Sequence, residues 1–95
     1  MDLKRWQSFS LGEQLLMIGS EIMRAKTWQN KDRQKFLSAL ERAFNLIDLS
    51  LANYKSKNSY MFLLLRQEIA KFYAGELNYN IEKLYHAFWT TRRVL

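Results

Sequence analysis

The sequence predicts an all-α protein, an antiparallel up-and-down four-helix bundle in a single domain spanning residues 1–95, and three observations support this prediction. A chain of 95 residues has the length of one domain. It contains no proline and only three glycines, so the strongest helix breakers are almost missing. Apolar residues recur every three or four positions in four segments, whereas the alternation typical of strands is not seen over a useful length. The predicted helices cover approximately 11–29, 31–53, 59–74 and 80–93.

The first predicted helix has a clear beginning. Ser10 and Glu13 form the pattern of a capping box, in which each side chain bonds the other residue's backbone N–H. Phe9 precedes the cap and can pack against the first turn. The predicted buried stripe consists of Leu11, Leu15, Ile18, Ile22 and Ala25. This spacing places all five side chains on one face of a helix.

The second and third helices follow the same pattern. The second begins after Asn30 or Lys31, and its stripe contains Phe36, Leu40, Ala43, Ile47 and Leu51. The polar segment 54–58 predicts a loop, and Ser59 is the predicted cap of the third helix. The third stripe contains Met61, Phe62, Leu65, Ile69, Phe72 and Tyr73, broadened by Leu63, Ala70 and Ala74. Gly75 suits the left-handed turn that ends many helices.

The fourth helix is capped by Asn80 or Asn78. Its inward face is predicted to contain Ile81, Leu84, Tyr85, Phe88 and Trp89. Short connections between amphipathic helices favour antiparallel neighbours that bury their stripes against one another.

Composition and charge limit the partners. The absence of cysteine excludes disulfides and thiol chemistry and fits a reducing cytoplasm. The longest apolar run, residues 61–65, is far too short for a membrane span, and no secretory signal is expected, so the sequence predicts a soluble cytoplasmic protein with no membrane partner. A net charge of +6 and a pI near 9.8 favour anionic partners, although the basic residues are scattered.

Several segments of the chain resemble the corresponding segments of a known protein family. The residues involved are Leu11–Leu15, Ile18–Glu21, Arg24, Ala25, Trp28, Ala39–Ala43, Leu46–Leu49, Leu65, Arg66, Glu68, Phe72–Gly75, Phe88 and Arg92. Together they resemble a family of small uncharacterised prokaryotic all-helical proteins. The resemblance implies the helical fold and no particular activity. The cysteine expected after Glu68 is missing, so a thiol-based role is not implied for this chain.

Arg66 lies on the flank of the third helix's apolar face. A partly buried guanidinium requires a carboxylate or several carbonyl groups as partners. The candidate carboxylates for a structural ion pair are Glu13, Glu21, Glu41 and Asp48. The alternative role is an anion site, because the planar fork of arginine binds phosphate well.

A second stripe on the first helix is a candidate interface. Met17 and Trp28 lie opposite the core face, among polar neighbours. They either close the corner of the bundle or anchor a partner. Gly12 and Gly19 share a face, where a glycine favours close approach of another helix, within the chain or in an oligomer.

The sequence predicts no enzyme, metal site or cofactor. Glu82 and the single histidine, His86, are four residues apart on a helix, but two ligands are too few for the metal sites of helical bundles. No glycine-rich phosphate loop or nucleophile elbow is present in the sequence.

Three classes of function therefore remain, of which an enzyme is the least favoured, because only Arg66 with nearby carboxylates could support one. The first is a non-enzymatic protein-interaction or assembly module that binds a protein partner or forms a homo-oligomer. The alternative is a basic RNA- or DNA-binding bundle, for which the candidate contacts are Arg66, Tyr85, Trp89, Arg92 and Arg93. Aromatic rings beside arginines can stack on exposed bases.

Overall fold

The protein is all-α. The computed structural model describes residues 2–53 and 57–92, and the side chains of residues 2–52 and 59–87. These residues form five helices: α1 (Leu3–Gln7), α2 (Leu11–Trp28), α3 (Arg33–Asn53), α4 (Lys57–Tyr73) and α5 (Glu82–Arg92). The predicted fold class is confirmed, and α1 is a short additional helix that precedes the four expected from the sequence.

The helix caps explain where the longer helices begin. Ser10 and Glu13 form the predicted capping box at α2. Asp32 caps α3, because its carboxylate accepts a bond from the Lys35 N–H at 3.1 Å. Asn80 is the cap before α5, where its side chain accepts from the Glu82 N–H at 2.9 Å.

The start of α4 differs from the prediction. Ser59 was expected to cap this helix, but α4 already begins at Lys57, so residues 57 and 58 are helical rather than part of a loop. The first turn of a helix tolerates polar residues, because its backbone N–H groups have no partner within the helix. A prediction based on polarity alone therefore placed the start of α4 two residues too late. The remainder of the predicted loop, residues 54–56, lies outside the described residues.

Gly75 ends α4 as predicted. Its φ of 80° is left-handed, a conformation that a residue with a Cβ adopts at a cost. The Glu76 N–H bonds the Lys71 carbonyl at 2.9 Å, and the Gly75 N–H bonds the Phe72 carbonyl at 3.1 Å. These two bonds constitute a Schellman motif, which satisfies carbonyls at the helix end.

Neighbouring helices run antiparallel. Between α2 and α3, Ser50 contacts Gln14 near one end, and Arg42 bonds Glu21 further along. Between α3 and α4, Asp48 bonds Arg66 while Glu41 bonds Tyr73. In each pair, moving forward along one helix moves backward along the other. Helix α5 packs on α2, and α1 packs on α3.

The hydrophobic core consists mainly of residues from the predicted apolar stripes of the helices. Its buried members are Trp6, Leu15, Ile18, Ile22, Ala25, Phe36, Ala39, Leu40, Ala43, Ile47, Met61, Phe62, Leu65, Ile69, Phe72, Ile81 and Leu84. Leu11, Leu51 and Tyr85 are partly buried against this cluster. Three residues of the predicted apolar surface of α4 differ: Leu63, Tyr73 and Ala74 are exposed. The side chains of Phe88 and Trp89 are outside those that the structure describes.

Candidate functional site

A buried polar network joins α1, α2 and α3. The indole Nε1 of Trp6 donates to Ser50 Oγ at 3.0 Å, and Ser50 Oγ donates to Gln14 Oε1 at 3.2 Å. The amide nitrogen of Gln14 donates to the carbonyls of Trp6 at 3.1 Å and Phe9 at 3.2 Å. Trp6, Gln14 and Ser50 are all fully buried. Because every side-chain polar group in this network has a partner, the network fixes α1 in one position.

A second glutamine positions the segment before α5. The Gln29 amide nitrogen donates to the Tyr79 carbonyl at 2.9 Å, and its oxygen accepts from the Ile81 N–H at 2.7 Å. One side chain at the end of α2 therefore satisfies two backbone groups of a distant connection. Tyr79 also packs edge-on against Phe72 of α4 at 5.0 Å between ring centroids. Both glutamines are structural, and neither was singled out from the sequence.

Arg66 pairs with Asp48, one of the four candidate carboxylates. Its Nε lies 2.8 Å from Asp48 Oδ1, and its guanidinium lies 5.1 Å from the centre of the Phe44 ring. The side chains are 44% and 51% exposed, so this ion pair lies at the surface, not in a partly buried site. The Arg66 guanidinium therefore already has a carboxylate partner at the place where an anion was expected to bind.

The other three candidates have different partners. Glu13 completes the capping box, whose bonds from Ser10 lower the pKa of Glu13. Glu21 lies between Arg42 at 2.8 Å and Arg24 at 3.5 Å. Glu41 accepts a hydrogen bond from the Tyr73 hydroxyl at 2.8 Å, which raises the pKa of Tyr73 because the neutral phenol is the donor.

The candidate interface on α2 is largely packed within the chain. Met17 and Trp28 are half-buried against the core, and the Lys35 ammonium lies 4.1 Å from the centre of the Trp28 ring. Gly19 is buried and Gly12 is half-buried. Met17 also contributes to a shallow groove with Glu21, Arg24, Arg42, Asn45 and Leu46. These positions offer a partner much less apolar surface than their sequence pattern indicated.

The candidate nucleic-acid contacts lie on different helix pairs. Arg66 lies between α3 and α4, whereas Tyr85 lies in a groove of about 460 Å³ between α5 and α2. The structure does not bring these two side chains together. The side chains of Trp89 and Arg92 are not described, and Arg93 lies outside the described residues.

Glu82 links α5 to α2. Its carboxylate lies 3.2 Å from Lys26 Nζ and 3.5 Å from His86 Nε2. The Lys26 ammonium, aided by His86, holds the pKa of Glu82 below its ordinary value. Within residues 2–53 and 57–92, no group of three histidine, aspartate or glutamate side chains is arranged to hold a metal ion.

Among the side chains that the structure describes, the most exposed apolar surface lies on α4, on the side opposite the core. Tyr60 is 68% exposed, Leu63 is 54% exposed and Leu64 is 45% exposed. Gln67, also exposed, continues this face at the next turn. Residues 60, 63, 64 and 67 have the spacing of neighbours on one helix surface. We call these four residues the outer face of α4.

The structure thus defines a small all-α protein with a fully bonded buried network and, among the described side chains, an exposed apolar face on α4. Among the described residues, no helix combines the length and apolar character needed to cross a membrane. A scan against protein-family models and searches of curated proteins and of solved structures found no match for the chain. The resemblance to a family of small helical proteins therefore stays a prediction.

Proposed function

We propose that this protein is a non-enzymatic protein-interaction or assembly module that binds through the outer face of α4. One observation carries the proposal: Tyr60, Leu63 and Leu64 are exposed together on a single helix surface. Scattered single apolar residues are ordinary on protein surfaces, but a contiguous group is typical of a contact site. Tyrosine is also enriched among the residues that contribute most to binding.

The binding surface lies on α4 in this proposal, not on the stripe of α2 expected from the sequence. Met17 and Trp28 already contact the core, so a partner would remove little additional apolar area from water there. The α4 residues differ, because about half or more of each side chain is exposed. Burying a whole leucine stabilises a complex by about 1.5–3 kcal/mol, so each half-exposed leucine would contribute about 1 kcal/mol.

The outer face can be tested with a pair of matched variants. Leu63→Glu places a charge in the outer face, and Leu16→Glu places the same charge on α2 at a leucine that is 51% exposed. Both positions are exposed, so circular dichroism should show folded helices in both variants. Tagged wild-type and variant chains would be expressed in the native host and cross-linked in the cells, so that weak complexes are retained, and the proteins that co-purify would be compared by quantitative mass spectrometry.

The proposal predicts that Leu63→Glu removes one or more proteins that both the wild type and Leu16→Glu retain. These proteins include untagged copies of the chain itself. If the same proteins are recovered in equal amounts with all three chains, the outer face is not a binding surface and the proposal is wrong.

Nucleic-acid binding is the second candidate, and charge favours it. Lys31 and Arg33 line a groove of about 400 Å³ at the corner between α2 and α3, and the whole chain carries a net charge of +6. Binding to phosphates releases counterions, so affinity for a mixed-sequence RNA should fall steeply between about 50 and 200 mM salt. Fluorescence anisotropy with a labelled RNA measures this directly. Undetectable binding at about 50 mM salt would exclude this candidate.

A further inference from the structure

We propose that the partner of the outer face of α4 is a second copy of this chain, bound so that the two α4 helices run antiparallel. This inference rests on the proposed function and names its partner. A twofold axis near Leu63 and Leu64 brings the same surface of each copy into contact, as in most homodimers. Two features of the described residues favour this arrangement over a different partner.

The first feature is the charge around the face. Arg66 is neutralised by Asp48 at 2.8 Å, and Lys71 is neutralised by Glu68 at 3.2 Å. The border of the face formed by these two pairs is therefore electrically balanced, although the whole chain carries +6. Like charges placed opposite each other disfavour association. A balanced border allows two identical surfaces to meet without such repulsion.

The second feature is self-complementarity along the helix. With the axis between residues 63 and 64, Leu63 of one copy lies opposite Leu64 of the other. The same register places Tyr60 opposite Gln67. A phenol and a carboxamide can each donate and accept a hydrogen bond, so this polar pair would be satisfied twice, once on each side of the axis. A parallel arrangement places tyrosine opposite tyrosine and loses this match.

The size of the surface indicates how strong the association would be. Tyr60, Leu63 and Leu64 together expose on the order of 300 Å² per copy, or about 600 Å² for both copies. Stable interfaces bury at least about 1,200 Å². The dimer would therefore be weak, with a Kd in the range of about 10 μM to 1 mM.

Sedimentation equilibrium of the full chain tests the inference over about 10 μM to 1 mM protein. We expect the average mass of the wild type to rise toward that of a dimer. Leu63→Glu should weaken the association at least about 10-fold, because each dimer would bring two carboxylates together at the axis. Leu16→Glu should associate as the wild type does, and it controls for the loss of an exposed leucine and the change in net charge.

The arrangement is tested by disulfide cross-linking, which is specific because the natural chain has no cysteine. Tyr60→Cys and Gln67→Cys variants, mixed and oxidised, should form the mixed dimer in several-fold excess over either homodimer. Mixed dimer at no more than the statistical proportion would overturn the antiparallel register. A wild-type chain that stays monomeric throughout the concentration range, or one whose association Leu63→Glu leaves unchanged, would overturn the inference.

These results separate the inference from the proposed function. If the chain is monomeric and a different protein co-purifies in a Leu63-dependent manner, the outer face binds another protein and only the inference is wrong. If the chain is monomeric and co-purification does not depend on Leu63, both are wrong.

Discussion

Replacing Ser50 by alanine should destabilise the protein more than any other loss of a single hydroxyl in the described part of the chain. The Ser50 hydroxyl accepts from Trp6 Nε1 and donates to Gln14 Oε1, and all three side chains are fully buried. Alanine would leave one donor and one acceptor buried without partners. Each such group costs about 1–3 kcal/mol, so the loss of two partners should lower the free energy of unfolding by about 2–6 kcal/mol.

Urea unfolding followed by circular dichroism measures this change. Ser20→Ala is the matched control, because Ser20 is exposed and its hydroxyl only bonds the Leu16 carbonyl of its own helix, at 2.9 Å. That change should alter the free energy of unfolding by less than about 0.5 kcal/mol.

The double variant Trp6→Phe with Ser50→Ala tests the mechanism. Phenylalanine has no N–H group, so the unpaired donor disappears and the two substitutions together should cost less than the sum of their separate effects. A loss below about 0.5 kcal/mol for Ser50→Ala, or strict additivity in the double variant, would show that the network does not stabilise the fold as described.

Three further predictions concern the end of α4 and two of its side chains that bond α3. Gly75→Ala should lower the free energy of unfolding by about 1–2 kcal/mol, because alanine is strained in a left-handed backbone conformation. No heavy atom lies within 4 Å of the added Cβ, so a larger loss, measured by thermal unfolding, would reveal a contact that this account lacks. The hydrogen bond to Glu41 raises the pKa of Tyr73 in the folded protein. The bond therefore contributes to stability below about pH 10, and this contribution is lost as the pH rises through the higher pKa of the folded state. Tyr73→Phe should flatten this alkaline decline in urea unfolding, and identical pH profiles for the two chains would contradict the assignment. Arg66→Met should change the free energy of unfolding by less than about 1 kcal/mol, because its ion pair with Asp48 is exposed; a loss above about 2 kcal/mol would show that the pair is structurally essential.

The sequence predicts α2 well because several local signals agree there. Ser10 and Glu13 mark its first turn, and Leu15, Ile18 and Ile22 repeat with the helical period. Gly75 was similarly predictable, since a glycine after an apolar helical segment is a frequent helix end. Such features depend on residues that are close in the chain, so a single sequence contains the information needed to recognise them.

Helix α1 and the buried network could not be predicted in this way. Five residues, Leu3–Gln7, contain no repeat from which a helical period can be read. Trp6 is buried in the core, where its indole N–H donates to Ser50, forty-four positions later in the chain. A faint signal was present in Gln14, which lies four positions before Ile18 and so shares the core face of α2. A glutamine on that face indicates a buried polar partner, although not which one.

The binding surface depends on which side of α4 faces the core. Residues 60–65 are apolar or aromatic all around the helix, so periodicity cannot separate the buried side from the exposed side. Leu63 was accordingly assigned to the core, and the structure places it on the outer face. Likewise, four carboxylates were candidates for Arg66, and only the packing of α4 on α3 selects Asp48.

The central claim is that two copies of the chain associate through the outer face of α4. A concentration series of nuclear magnetic resonance spectra tests this claim most directly. Backbone amide shifts of the isolated chain would be compared from about 20 μM to about 1 mM. The outer face of α4 should show the largest changes, at Tyr60, Leu63, Leu64 and Gln67, with little change along α2. Shifts that stay constant over this range, or that change mainly around Leu16 and Tyr85, would contradict association through the outer face of α4.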